Sequence, residues 1–392
     1  PHRLVKILPT GQGLVGLFSN GPEANKEKYK MPKRVGFLYQ KMCDKELIRT
    51  AIIEGSKGKK KRWDVKTVLA DMEHYIELVY TLLVNRQYRP TVPKRKVIHD
   101  ACSNKERAIK IVPFYPDGII HQLIVMVMKP VLMRGMYRWS CSSIPGRGNL
   151  CALNYIKRAF RKDKKGTKHC FKADIHHFYE SISIRILMKL LRRKIKDEQF
   201  LELIKIILLS DPEQGISIGY YTNQWLANYY LEWFDRFIQR LPGVKYYVRN
   251  MDDIVILGGN KKLLHQAVGA IKLFLKANLK LELKGNWQVF PTKCRAIDFI
   301  GYKIWPDHTI LRRKNFLRLI RQCRRAEKRL RTKYSIPYKM AAGLLSRIGQ
   351  LKHCDSQYVK EKYVYLIREI LLKLPVRRYS KARLRSLKMH SI

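Results

Sequence analysis

Two acids stand side by side at Asp252-Asp253, in a chain that carries 31 Asp and Glu among 392 residues. Tyr246-Tyr247-Val248 precedes them and Ile254-Val255-Ile256-Leu257 follows, so both flanks favour β-strand. Carboxylates at such a turn can hold divalent ions, because magnesium prefers carboxylate oxygens, substrate phosphates and water. Two ions roughly 3.5–4 Å apart can activate a 3′-hydroxyl and stabilise the leaving oxygen when nucleotides are joined. Asp-Asp can equally do no more than turn a hairpin, since Asp tolerates the backbone angles of a tight turn. On this pair alone both readings stand. A second segment, Phe171-Lys172-Ala173-Asp174-Ile175-His176-His177-Phe178-Tyr179, reads as a strand ending in an acid and followed by aromatics. Asp174 by itself could be a helix cap, but together with the Asp-Asp turn it completes the acid set that two-metal chemistry needs.

The elements that must position these acids follow from periodicity. Apolar residues recur at helical spacing from Trp63 to Gln87, and two short strands, Lys96–His99 and Ala108–Val112, come next. Helices are expected at Gly118–Arg134 and Leu150–Arg161, then a strand at His169–Asp174 and helices at Arg185–Lys194 and Asp197–Leu209. A long helix, Thr222–Arg240, leads into the hairpin Lys245–Asn250 and Ile254–Leu257, closed at Met251–Asp253. Helix Lys261–Ala277, strand Leu279–Leu283 and hairpin Ala296–Ile310 complete the mixed region. Beyond Arg312 the pattern is helical: Arg312–Tyr334, Pro337–Lys352 and Ser356–Leu374. Strands and helices followed by helices alone give an α+β fold with a helical C-terminal domain. The expected division is a basic N-terminal extension at 1–62, a region at 63–165, the acid-bearing region at 166–305, a helical domain at 306–375 and a basic tail at 376–392.

Charge names the class of partner. Eighty Lys and Arg give a formal net charge of +49, an excess that a polyanion neutralises with release of its counterions. Arg312, Arg313, Lys314, Arg318, Arg321, Arg324, Arg325, Lys328, Arg329, Arg331 and Lys333 crowd one helix whose sole acid is Glu327, so phosphate is their natural counter-charge. The run Lys57-Gly58-Lys59-Lys60-Lys61-Arg62 reads as either a solvated loop or a phosphate contact. A membrane partner is disfavoured. No apolar run reaches the roughly 18–20 residues of a spanning helix, and Ile119–Met133 is interrupted by His121, Gln122, Lys129 and Pro130. The first twenty residues lack the pattern of a secretory signal. Eight scattered cysteines without a Cys-x-x-Cys pair argue against structural zinc and suit a reducing cytoplasm.

In order along the chain, several blocks resemble those of bacterial and phage retroelement reverse transcriptases. Phe171–Ser183 resembles the first palm motif, and Tyr247-Val248-Arg249-Asn250-Met251-Asp252-Asp253 resembles the Tyr-x-Asp-Asp hairpin with an upstream Tyr-x-Arg. Gly215–Leu231 resembles the intervening motif, Ile297–Tyr302 the primer-gripping hairpin, Arg107–His121 and Ser140–Gly148 the fingers, and Ser346–His353 a thumb segment. The resemblance implies a right hand of fingers (63–165), palm (166–305) and thumb (306–375). It implies an RNA-directed DNA polymerase with two Mg²⁺ per site, replaceable by Mn²⁺. Catalysis would rest on Asp174, Asp252 and Asp253, with the Ile175 carbonyl as a further metal ligand. Tyr179 would be a steric gate against a 2′-hydroxyl, and Arg107 and Lys110 would meet the triphosphate of a dNTP. Arg249, Asn250 and the basic helix (Arg312, Arg313, Arg321, Arg324, Arg325, Lys328) would contact template RNA and the RNA–cDNA duplex. Asn250 and Gly118 depart from the family's usual Tyr and Arg.

Ile218-Gly219-Tyr220-Tyr221-Thr222-Asn223-Gln224 stands where most relatives have Gln-Gly followed by Ser-Pro. An Ile-Gly-x-x-x-Ser-Gln form is similar to that of diversity-generating retroelements, with Asn223 here in place of Ser. Ile218, Gly219 and Gln224 would then frame the incoming nucleotide. That subgroup implies copying with errors at template adenines and a small basic accessory protein. Alternatives are an antiphage-defence or retron-like enzyme with its own non-coding RNA, or a non-catalytic RNA-binding scaffold. A bacterial cytoplasm is the expected location.

Overall fold

A four-stranded sheet underlies both acid-bearing segments in the computed structural model, which describes residues 33–100, 105–211, 215–333 and 336–365. The chain divides into two units, one of residues up to 155 with 165–289, the other of 156–164 with 290 onward.

The first unit begins with helices. Leu38–Met42 (α1) and Lys45–Ser56 (α2) occupy a stretch whose sequence shows little periodicity. The sequence marks 1–62 as a basic extension, and within it these two helices form. Asp44 caps α2 by accepting from the Glu46 and Leu47 amides, and Ile48, Ala51 and Ile52 bury its inner face. The helix expected over Trp63–Gln87 is two: Trp63–Ala70 (α3) and Met72–Val84 (α4). Asp71 leaves helical angles (φ −133°) and turns its carboxylate to the His74 amide, capping the second. Lys94–Asp100 (β1) and Lys105–Ile111 (β2) pair as an antiparallel ribbon.

Ile119–Met133 (α5) is a core helix packed on α2. With its entry turn, Phe114–Met133 has the length and composition to cross a membrane, yet 61% of that window is buried inside the protein. Such burial is what a core helix requires. Asn149–Lys162 (α6) then leads to His169–Asp174 (β3), the short turn Phe178–Ser181 (α7), Ile184–Arg192 (α8) and Glu198–Leu209 (α9). The expected helix Thr222–Arg240 is broken at Leu231 (φ −91°, ψ 0°) into Tyr221–Tyr230 (α10) and Glu232–Ile238 (α11).

Tyr246–Asn250 (β4) and Asp253–Gly258 (β5) form the hairpin, followed by Lys261–Phe274 (α12), which Asn260 caps. No strand forms at Leu279–Leu283. A helical turn runs to Leu279, Lys280 takes a left-handed conformation, and Leu283 makes a single bridge to Ile175. Gln288–Pro291 (β6) closes the sheet in the order β4-β5-β3-β6. β5 is buried along nearly its whole length, as its unbroken apolar run Ile254–Leu257 demands.

The second unit holds the three-stranded sheet Ile297–Phe299 (β7), Tyr302–Ile304 (β8) and Thr309–Leu311 (β9) and the helices Arg313–Lys333 (α13) and Tyr338–Gln350 (α14). The division thus falls near residue 290, before this sheet, where the sequence suggested 305. Apolar Ile297, Phe299, Ile304, Leu319, Cys323, Ala326 and Leu344 are buried here. The tail expected at 376–392, the far part of the Ser356–Leu374 helix and residues 1–32 lie outside the described residues.

Candidate active site

Asp174 ends β3 and lies directly opposite Asp253, the first residue of β5. Opposed residues of an antiparallel pair share one face, with Cβ atoms about 4.5–5.5 Å apart. The turn between β4 and β5 brings in the third acid, Asp252. Its carbonyl accepts the Ile175 amide at 3.2 Å, which ties the turn to the end of β3. Met251 makes the turn possible by adopting a left-handed conformation (φ 60°). All three carboxylates are partly exposed, so they are open to a substrate.

Like charges set directly opposite repel, and a cation must offset them. Lys172, two residues back on the same face of β3, pairs with the Asp253 carboxylate. Asp174 and Asp252 place further carboxylate oxygens at adjacent chain ends. Among the described residues no three His, Cys, Asp or Glu side chains converge into a cage. Magnesium in phosphoryl-transfer sites takes one or two carboxylates plus substrate phosphates and water rather than an all-protein cage, so this donor set fits the ion. The Asp174 carbonyl is occupied by the Lys284 amide at 2.8 Å, while no described donor reaches that of Ile175.

Tyr179 follows on the turn after β3. Burial, and then the charge of Asp252, push its phenol up to about 12. Its carbonyl accepts the Ile216 amide at 2.9 Å. Gly215 permits that approach: its φ of +86° is left-handed, and a Cβ there would collide with the backbone of Glu180. The same loop is stitched to β2. The Lys110 amide donates to the Ile218 carbonyl at 2.8 Å, and a Cβ on Gly219 (φ +126°) would run into the Lys110 carbonyl. Ile218 and Gln224 are half-buried and Gly219 is exposed. Asn223 reaches back from α10 to the Ser217 carbonyl at 2.9 Å, fixing the loop's far end.

Two expectations are corrected. Lys110 is not presented to a triphosphate: its ammonium is buried against Asp211 at 3.1 Å, and Ser217 donates to the other Asp211 oxygen at 2.5 Å. Arg249 does not face nucleic acid. It is wholly buried, bound through Nε and Nη2 to the two oxygens of Asp235 at 2.7 and 2.8 Å. Arg107 stands opposite Ile98 in the β1–β2 ribbon, and its side chain lies outside the described ones. Asn250 lies opposite Asp253 and donates to Asn149 Oδ1 at 2.8 Å.

With this geometry in view, comparisons with known proteins are sparse in sequence. No family model matches the chain. Protein YkfC of Escherichia coli K12 is 24% identical over 283 residues, 61% of this chain and 74% of that protein. Among solved structures, a telomerase from Candida albicans in complex with a fragment of telomeric RNA aligns at a TM-score of 0.46 and 12% identity. It covers 74% of this chain and 61% of that one. A partial Cas6-RT-Cas1–Cas2 complex aligns at 0.36 and 20% identity over 61% of this chain and 42% of that one. The chain therefore spans less than two thirds of either solved chain.

In the second unit, α13 presents Arg321, Arg324, Arg325 and Lys328 as exposed cations at the i, i+3, i+4, i+7 spacing of one helix face. None forms an ion pair among the described residues, and Arg313 is likewise exposed. Arg312 instead pairs with Asp298 at 2.5 Å. Residues missed in the sequence are Lys172, Asp211, Asn228 and Asp235. Asp235 had a readable signal, an acid set among Trp233, Phe234 and Phe237, because a charge buried in apolar surroundings must be paired.

Proposed function

We propose that this chain is an RNA-directed DNA polymerase that joins deoxynucleotides at the Asp174, Asp252 and Asp253 site. The observation that carries the reading is the register itself, which sets Asp174 against Asp253 with Asp252 at the adjoining turn. Three acids gathered at strand ends carry negative charge that divalent ions would offset, and those ions would in turn hold the triphosphate of the incoming nucleotide. Two Mg²⁺ ions, or Mn²⁺ in their place, would supply charge stabilisation for the attacking and leaving oxygens when bound. Asp174 and Asp252 would hold them, with the Ile175 carbonyl as a neutral ligand. Lys172 keeps Asp253 oriented along the same face.

The Tyr179 ring, on the turn that follows Asp174, would fill the space under the sugar and exclude a 2′-hydroxyl. Template RNA and the RNA–cDNA duplex would contribute phosphates to the cationic face of α13. The α9–α10 loop carrying Ile218 and Gly219, with Gln224 in the first turn of α10, would border the incoming base pair. An aliphatic Ile218 offers no amide there, which supports a diversity-generating role with errors at template adenines and a basic accessory protein.

Asp252→Ala with Asp253→Ala should abolish dNTP incorporation on an RNA template while RNA binding persists. Undiminished synthesis by that double variant would overturn the proposal. Sequencing the cDNA made in the native host tests the role: errors concentrated opposite adenines support diversification. Faithful copies of one short non-coding RNA would reject it in favour of defence.

A further inference from the structure

Beneath the acid turn lies a charge pair that takes no part in the chemistry just described. Arg249 and Asp235 are both fully shielded from solvent. Each N–H of the guanidinium is used: Nε and Nη2 on Asp235, Nη2 also on the Asn228 carbonyl at 3.0 Å, and Nη1 on Asn228 Oδ1 at 3.0 Å and on the Met251 carbonyl at 3.2 Å. Tyr247 donates to Asp235 Oδ1 at 2.6 Å. The backbone of Arg249 is pinned as well, its amide to the Trp139 carbonyl at 3.1 Å and its carbonyl to the Cys141 amide at 2.9 Å.

The Met251 contact is the informative one. That carbonyl belongs to the peptide unit that continues into Asp252, and Met251 itself sits in a left-handed conformation that a non-glycine residue adopts reluctantly. A guanidinium fixed by a buried carboxylate therefore sets the plane of the peptide from which the Asp252 side chain departs. Lysine cannot replace it, since one ammonium cannot reach Asp235, Asn228 and Met251 together in a planar fork.

We propose that Arg249, locked by Asp235, is a positioning residue that orients Asp252 as a metal ligand. The inference rests on the metal-binding reading of the acids. A merely structural pair would affect folding alone. Replacing a buried ion pair by apolar side chains of similar volume commonly preserves stability, so Arg249→Met with Asp235→Leu separates the two roles. The experiment is titration of the full chain with Mn²⁺, with free ion followed by electron paramagnetic resonance, alongside thermal melting. Asp252→Ala with Asp253→Ala identifies the site. The expected result is a double variant that melts within a few degrees of the unaltered chain yet binds Mn²⁺ at this site at least tenfold more weakly. Arg249→Lys should show the same weakening. Unchanged Mn²⁺ affinity in a folded Arg249→Met, Asp235→Leu chain would overturn the positioning role alone. No site-specific Mn²⁺ binding by the unaltered chain would overturn the metal reading and this inference with it.

Discussion

Asp174 and Asp253 face each other across two antiparallel strands, at the one end of β3 and β5 where the chain turns. Apolar strands do not gather acids there for stability, because directly opposed carboxylates repel, and Lys172 is drawn to the Asp253 member of the pair. The cost is explained if the acids are kept for a cationic ligand.

Tyr179 gives the first prediction. Removing the ring in Tyr179→Ala should raise ribonucleotide incorporation relative to deoxynucleotide by about 10- to 100-fold, the scale of a lost steric contact. Tyr179→Phe should keep the discrimination, since the ring and not the hydroxyl does the excluding. Single-nucleotide extension with matched dNTP and rNTP pairs measures both.

Gly219 gives the second. Its φ of +126° and its closeness to the Lys110 carbonyl leave no room for a side chain. Gly219→Ala should cost roughly 1–3 kcal/mol of stability through strain at that position. Denaturant melts check this, and Gly285→Ala, with open space around it, serves as the control.

The exposed face of α13 gives the third. Each phosphate contact contributes about −0.9 to the slope of log affinity against log salt for duplex DNA. Replacing Arg321, Arg324, Arg325 and Lys328 by Ala should therefore flatten that slope by roughly 3–4 for a duplex ligand, with the melting temperature little changed. Anisotropy titrations over a series of salt concentrations read it directly.

Much of the site was legible in the sequence. β3 runs over His169–Asp174 as periodicity indicates, and the hairpin around Asp252 is where its apolar flanks put it. Local pattern suffices there because strand propensity and turn chemistry agree. Charge at a distance was not legible. Lys110 read as a triphosphate contact and Arg249 as a nucleic-acid contact, yet each is buried against an acid outside its own strand, Asp211 and Asp235, and periodicity does not say which cation meets which acid. Helix breaks at Asp71 and Leu231 escaped for a related reason: the apolar period continues through both, and only backbone angles end the helices.

Asp174 offers the most direct test of the whole account. Asp174→Asn keeps the size of the side chain and its place in β3 while removing one negative charge. Primer extension on an RNA template with Mg²⁺, measured beside RNA affinity on the same preparation, should show synthesis reduced by about 10³-fold or more, as expected when charge stabilisation of the transition state is lost, with RNA binding unchanged. Synthesis at the rate of the unaltered chain, or loss that merely follows loss of RNA binding, would contradict it.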